Sequence, residues 1–114
     1  MSEKKESIIT LARMEASLIF LAETDEECGK LRADHARAEF KAKSVYNAIF
    51  NSLDGSAATR KPLAEVHPKY VEAKNAEFDA FFAYEAMKNT RSTKLIVIEA
   101  WRSINSARNK GQII

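Results

Sequence analysis

Apolar residues recur at alternating three- and four-residue steps along most of this chain, the spacing that keeps one stripe of an α-helix turned towards a partner helix. In the first half the stripe runs through Met14, Leu21, Cys28, Leu31, His35, Ala38, Ala42, Val45 and Ile49. It predicts a helical region over about residues 7–53. Thr24 followed by Glu27 has the spacing of a capping box and Gly29 lies just beyond, so a break near residues 23–29 is the alternative to one continuous helix. Asp54-Gly55-Ser56 supplies a helix stop, because glycine adopts the left-handed conformation that helix C-termini use. A connector over 54–67 follows. Within it residues 59–66 can make a short turn of helix, with Leu63 and Val66 over the hairpin tip. Pro68 suits the first turn of a second helix, where its fixed φ fits and its missing N–H is not needed.

From Pro68 to about residue 109 no glycine or proline interrupts the chain, and Tyr70, Ala73, Ala80, Tyr84, Met87, Ile98 and Trp101 keep the same spacing. One helix of about forty residues and roughly 60 Å is expected. Folding the two helical regions back on each other gives an all-α, elongated, coiled-coil-like antiparallel hairpin in a single domain over 1–114. Small residues at Ala42 and Ala80 would lie opposite each other. That register turns Arg91 and Lys94 towards Asp25-Glu26-Glu27, a charge match that specifies orientation more than it stabilises. Phe78, Phe81, Phe82 and the run Leu95-Ile96-Val97-Ile98 add apolar groups on further faces of the second helix. A helix apolar nearly all round is covered on more than one side. Either a third helix built from the N-terminal twenty residues or a second subunit is implied, so a homo-oligomer is expected.

Composition narrows the class. With 46% hydrophobic and 30% charged residues the chain can fold, and three glycines and two prolines are too few for the turns of a sheet protein. The lone Cys28 cannot form an internal disulfide, which fits a reducing, cytoplasmic setting. No leader-like segment is evident and Leu18–Ala22 is too short to span a bilayer, so a soluble protein with no membrane partner is expected.

Catalytic chemistry finds no candidate. His35 sits on the apolar stripe and His67 precedes a proline, neither with a serine, cysteine or carboxylate spaced to recruit it, and both read as structural. Glu26 and Glu27 point to different helix faces and make a poor acid/base pair. No phosphate loop, metal-ligand motif or nucleophile elbow is present. A non-enzymatic protein without cofactor or metal is expected. Cys28 reads as a small seam residue, since a reactive thiol needs an exposed, electropositive setting.

Charge does discriminate. Residues 3–27 carry seven acids against three bases, and residues 86–114 carry one acid against six bases. The two ends can neutralise each other in an antiparallel fold, or the basic end can serve a polyanion. Arg91, Lys94, Arg102, Arg108 and Lys110, interleaved with Tyr84, Trp101 and Asn105, combine phosphate-neutralising charge with groups that stack on or hydrogen-bond bases. The competing reading is a helix end whose cations favour the negative end of the macrodipole, with Trp101 simply buried. The register gives Arg91 and Lys94 acids to pair with, whereas Arg102, Arg108 and Lys110 have only Glu15 and Glu6 nearby. On the first helix, Lys30, Arg37, Lys41 and Lys43 either extend a basic surface or pair with Asp34 and Glu39.

The closing stretch Glu99-Ala100-Trp101-Arg102-Ser103-Ile104-Asn105-Ser106-Ala107-Arg108-Asn109-Lys110-Gly111-Gln112-Ile113-Ile114 resembles, in spacing, the C-terminal end of the UvsY-type phage recombination mediators and related coiled-coil recombination-accessory proteins. The arrangement of a helical first half, a short connector and a second helix with a basic end is also similar. The resemblance implies an oligomer that binds single-stranded DNA together with a recombinase or annealing protein, and carries the phosphate-contact role to Arg102, Arg108 and Lys110, with Trp101 beside them. The chain departs from that pattern in lacking a dense basic cluster in its first half. A pure protein-interaction module is the competing function, such as an inhibitor of a host defence (CRISPR-type) nuclease or an assembly adaptor, with Phe78, Phe81, Phe82, Leu95 and Ile98 as its anchors.

Overall fold

Thr10 opens the first helix: its Oγ1 accepts the backbone N–H of Arg13 at 3.1 Å, satisfying a donor that has no partner inside the helix. From there α1 runs unbroken over Leu11–Ser52 in the computed structural model, which describes residues 9–111. The expected start near residue 7 lies outside the described residues. Two further helices follow, α2 over Ala57–Glu65 and α3 over Pro68–Asn109, and the described residues contain no strand. The chain is an all-α helical hairpin, with α2 in the connector between its two long arms.

No break occurs at residues 23–29. The Thr24 hydroxyl donates to the Phe20 carbonyl of its own helix at 2.7 Å instead of capping a new one. Gly29 is helical, and a Cβ added there would meet nothing within 4 Å. The third, N-terminal helix expected from the apolar surplus of α3 is therefore not separate among the described residues, because everything from Leu11 onward belongs to α1. Since an interior glycine costs backbone entropy with no compensating contact here, Gly29→Ala is expected to raise unfolding free energy by about 0.5–1 kcal/mol. Urea denaturation monitored by circular dichroism measures this, and a loss of stability would show that the continuity of α1 at Gly29 is wrong.

At the tip, Gly55 takes φ +105° and Ser56 caps α2, accepting the Thr59 N–H at 3.3 Å. Arg60 ties α2 to the end of α1: its guanidinium donates to the Phe50 carbonyl at 3.3 Å and lies 4.3 Å from the centre of the Phe50 ring. That carbonyl is among the last of α1 and also accepts the Leu53 N–H at 3.4 Å. Leu63 and Val66 do not cover the tip as their hydrophobicity predicts. Both are exposed, and Ala64 is the fully buried residue of α2, because only a small side chain fits where this short helix meets the arms. Pro68 begins α3 as expected, and His67 caps it, its Nδ1 accepting the Lys69 N–H at 3.1 Å. His67 thus has a structural task.

Contacts cluster into two compact units. One joins Met1–Glu27 with Met87–Ile114 and the other is Cys28–Ala86. In the second unit the ring pairs His35–Phe81, at 5.2 Å, and Tyr46–Tyr70, at 5.3 Å, fix the register of α1 against α3. Ala42 then lies level with about Lys74, not with Ala80. Aromatic pairs bury more surface than an alanine pair and set the alignment. The predicted stripe of α1 nevertheless faces inward throughout, with Ala42 and Ile49 buried and its other members half-buried.

In the first unit Arg91 meets Asp25 at 3.1 Å, as charge matching predicts. Lys94 pairs with no acid among the described residues. Its ammonium lies 5.4 Å from the centre of the Phe20 ring, a cation–π contact. Ser17 occupies a position on the α1 stripe and is nearly fully buried, its hydroxyl satisfied by the Arg13 carbonyl at 2.9 Å. Val97 and Ile98 are the buried apolar residues of this unit among the described residues.

Candidate nucleic-acid interface

The last four turns of α3 carry the predicted contact residues. Every third or fourth position from Ile98 turns inward, through Trp101 and Asn105, and this leaves Arg102, Ser103, Ser106, Asn109 and Lys110 exposed. Helical spacing brings Arg102, Ser106 and Lys110 onto one face. With Glu99, Ser103 and Ala107 they line a shallow groove of about 500 Å³. The helix closes on Gly111, which takes φ +79° and whose N–H reaches the Arg108 carbonyl at 2.9 Å, while Lys110 N–H reaches the Ser106 and Ala107 carbonyls.

Two of the three charged residues on this face, Arg102 and Lys110, are cations, and the third is Glu99. Arg102 pairs with Glu99 of its own helix at 3.0 Å, both side chains well exposed, and not with Glu15. Such an exposed pair is worth little and gives way readily to a stronger anion. Arg108 and Lys110 form no ion pair among the described residues; the alternative acid, Glu6, lies outside them. Arg108 is set apart from the Arg102–Lys110 groove and lines a second recess with Trp101, Ile104 and residues 9–11. The structure therefore brings Arg102 and Lys110 together and places Arg108 on a neighbouring face.

Trp101 stands between these surfaces. It lines the recess with Arg108 and an apolar groove of about 280 Å³ with Met14, Leu18, Ile98, Arg102 and Asn105. The residue is half-buried, and its indole N–H is buried with no hydrogen-bond partner among the described residues. One edge of the ring thus belongs to the core while the grooves on either side reach it.

The predicted protein-contact residues separate in the same way. Phe78, Phe81, Phe82 and Leu95 are exposed, Phe82 at 74%. Ile98 is not available: it is buried in the seam between α1 and α3, where its place on the 3/4 spacing puts it. Phe40, 73% exposed, joins the exposed group, and its signal is an apolar residue lying off the α1 stripe. On the first helix Arg37 pairs with Asp34 one turn away, so that part of α1 is a solvated, internally paired face. Cys28 is half-buried in the seam. Among the described residues no helix is long and apolar enough to cross a membrane. Comparison with protein-family models, with curated proteins and with solved structures finds no match to this chain.

Proposed function

We propose that this protein is a non-enzymatic recombination accessory factor, which binds single-stranded DNA at the C-terminal end of α3 and a recombinase or annealing protein elsewhere on its surface. The observation that carries the reading is the exposed face of Arg102, Ser106 and Lys110, opposed among the described residues by Glu99 and flanked by Arg108 and the accessible side of Trp101. Cations and hydroxyl groups on one helix face can contact the phosphates of a single strand, and an aromatic ring next to them can stack on a base. The apolar side chains Phe78, Phe82 and Ile96, left exposed on α3, provide surface for the protein partner or for a second copy.

Fluorescence anisotropy of a labelled single-stranded oligonucleotide tests the reading. Binding at micromolar protein and low salt is expected, weakening as salt rises. An anisotropy that stays flat under those conditions sinks it.

The exposed phenylalanines favour a second reading, a helical module that docks on a protein alone, such as an inhibitor of a host defence nuclease or an assembly adaptor. Pull-down from native cells with and without nuclease treatment separates the two. Partners that survive nuclease while no nucleic acid is recovered favour this second reading.

A further inference from the structure

We propose that His35, Glu39 and Glu77 form a binding site for a divalent transition-metal ion of the zinc class, in the Cys28–Ala86 unit and independent of the proposed DNA contact. One ligand atom from each of the three lies within 4.8 Å of the others. His35 and Glu39 are four residues apart on α1 and so project from one face, and Glu77 comes from the facing helix α3. Metal sites in helical bundles are built in this way, from carboxylates and histidines on facing helices.

Donor chemistry selects the ion. An imidazole nitrogen with two carboxylates suits zinc-like ions, whereas magnesium and calcium take oxygen donors alone. Bonds of about 2.0–2.2 Å place ligand atoms roughly 3–3.5 Å apart, so the trio has to close by a little over an ångström. Glu39 is exposed and free to swing, and Glu77 has a flexible three-carbon reach. His35 is held by its tilted packing on Phe81, which fixes the imidazole plane against which the carboxylates close.

A second observation points the same way. Glu77 occupies a position on the 3/4 spacing of α3, where an apolar residue belongs, and its side chain is only 13% exposed. A carboxylate withdrawn from water in a helix seam needs positive charge beside it. Lys74 supplies one cation, donating to Oε1 of Glu77 at 3.1 Å, and that bond holds the Lys74 ammonium pKa above its ordinary value. Glu39 brings a second carboxylate to the same recess, which Lys43 and Lys61 also line. Three protein ligands leave room for water on the ion, as in open zinc sites.

Zinc titrated into the full chain by isothermal titration calorimetry, after chelator treatment, is expected to bind at one ion per chain and to raise the melting temperature, with magnesium at equal concentration doing neither. Glu39→Gln removes an exposed ligand without touching the seam. It is expected to weaken zinc binding by at least about tenfold while leaving the metal-free melting temperature unchanged. His35→Ala is expected to weaken it as much. Absence of zinc binding in the parent chain, or zinc binding unchanged in both variants, would overturn the proposal.

Discussion

Arg91→Ala is expected to lower the free energy of unfolding by about 2 kcal/mol, a loss set by hydrogen bonds to a charged group and not by an ion pair. The guanidinium donates to the Leu21 carbonyl at 2.8 Å and to the Thr24 hydroxyl at 2.7 Å, both partly buried, and only its outer nitrogen reaches Asp25. The side chain of Arg91 is 19% exposed and that of Asp25 is 82% exposed. Water screens the Asp25 contact, so Asp25→Ala is expected to cost less than about 0.5 kcal/mol. Alanine at 91 also removes the aliphatic stem that fills the seam. Urea unfolding of the two variants decides the point. Equal losses would mean that the salt bridge, and not the seam hydrogen bonds, holds this end of the hairpin.

The largest functional effect is expected from Arg102→Glu combined with Arg108→Glu, which should weaken single-stranded DNA binding by about one to two orders of magnitude at low salt. The double change turns two cations of the α3 end into anions and leaves Lys110 alone beside Glu99. Its effect on folding should be small. Arg102 gives up only an exposed pair with Glu99, and Arg108 loses a favourable place in the last turn of α3, near the negative end of the helix dipole. Circular dichroism should therefore show an intact helical fold in the variant. Parent-like binding by that folded variant would remove the α3 end from the DNA contact.

The hairpin is legible in the sequence because its signals are local and agree with one another: the 3/4 stripe, Gly55 at the turn, Pro68 at the start of α3. The charge match of Arg91 with the acidic stretch of α1 is legible for a similar reason, since opposite charges on two helices leave few alignments. Polar seam residues are harder to read. Ser17 and Thr24 continue the α1 stripe yet look like interruptions, because their hydroxyls are satisfied by carbonyls one turn back, a bond that exists only once the helix has formed. The alignment of Ala42 with Lys74 depends on aromatic pairs between residues distant in sequence, which spacing within one helix does not reveal. The burial of Ala64 under a tip where Leu63 and Val66 stay exposed depends on the angle at which α2 meets the arms. His35, Glu39 and Glu77 look unrelated in sequence for the same reason, as one helix supplies two of them and the register supplies the third.

At the α3 end, residue types were legible and grouping was not. Helical spacing alone brings Arg102 to Lys110, but the placement of Arg108 beside Trp101 and residues 9–11 needs the packing of α1 against α3. Ile98 shows the converse, a residue whose apolar neighbours on the chain mark it as surface while its place on the spacing buries it.

The most direct measurement of the proposed role is the salt dependence of single-stranded DNA binding by the parent chain and by the Arg102→Glu, Arg108→Glu variant. Three phosphate contacts, from Arg102, Arg108 and Lys110, correspond to a slope of log affinity against log salt of about −2 for a single strand. The variant, with Lys110 as its one remaining contact, should give a shallower slope of about −0.7 together with the weaker affinity. A slope that is the same in both proteins, or a parent chain that binds no DNA at low salt, would contradict the account.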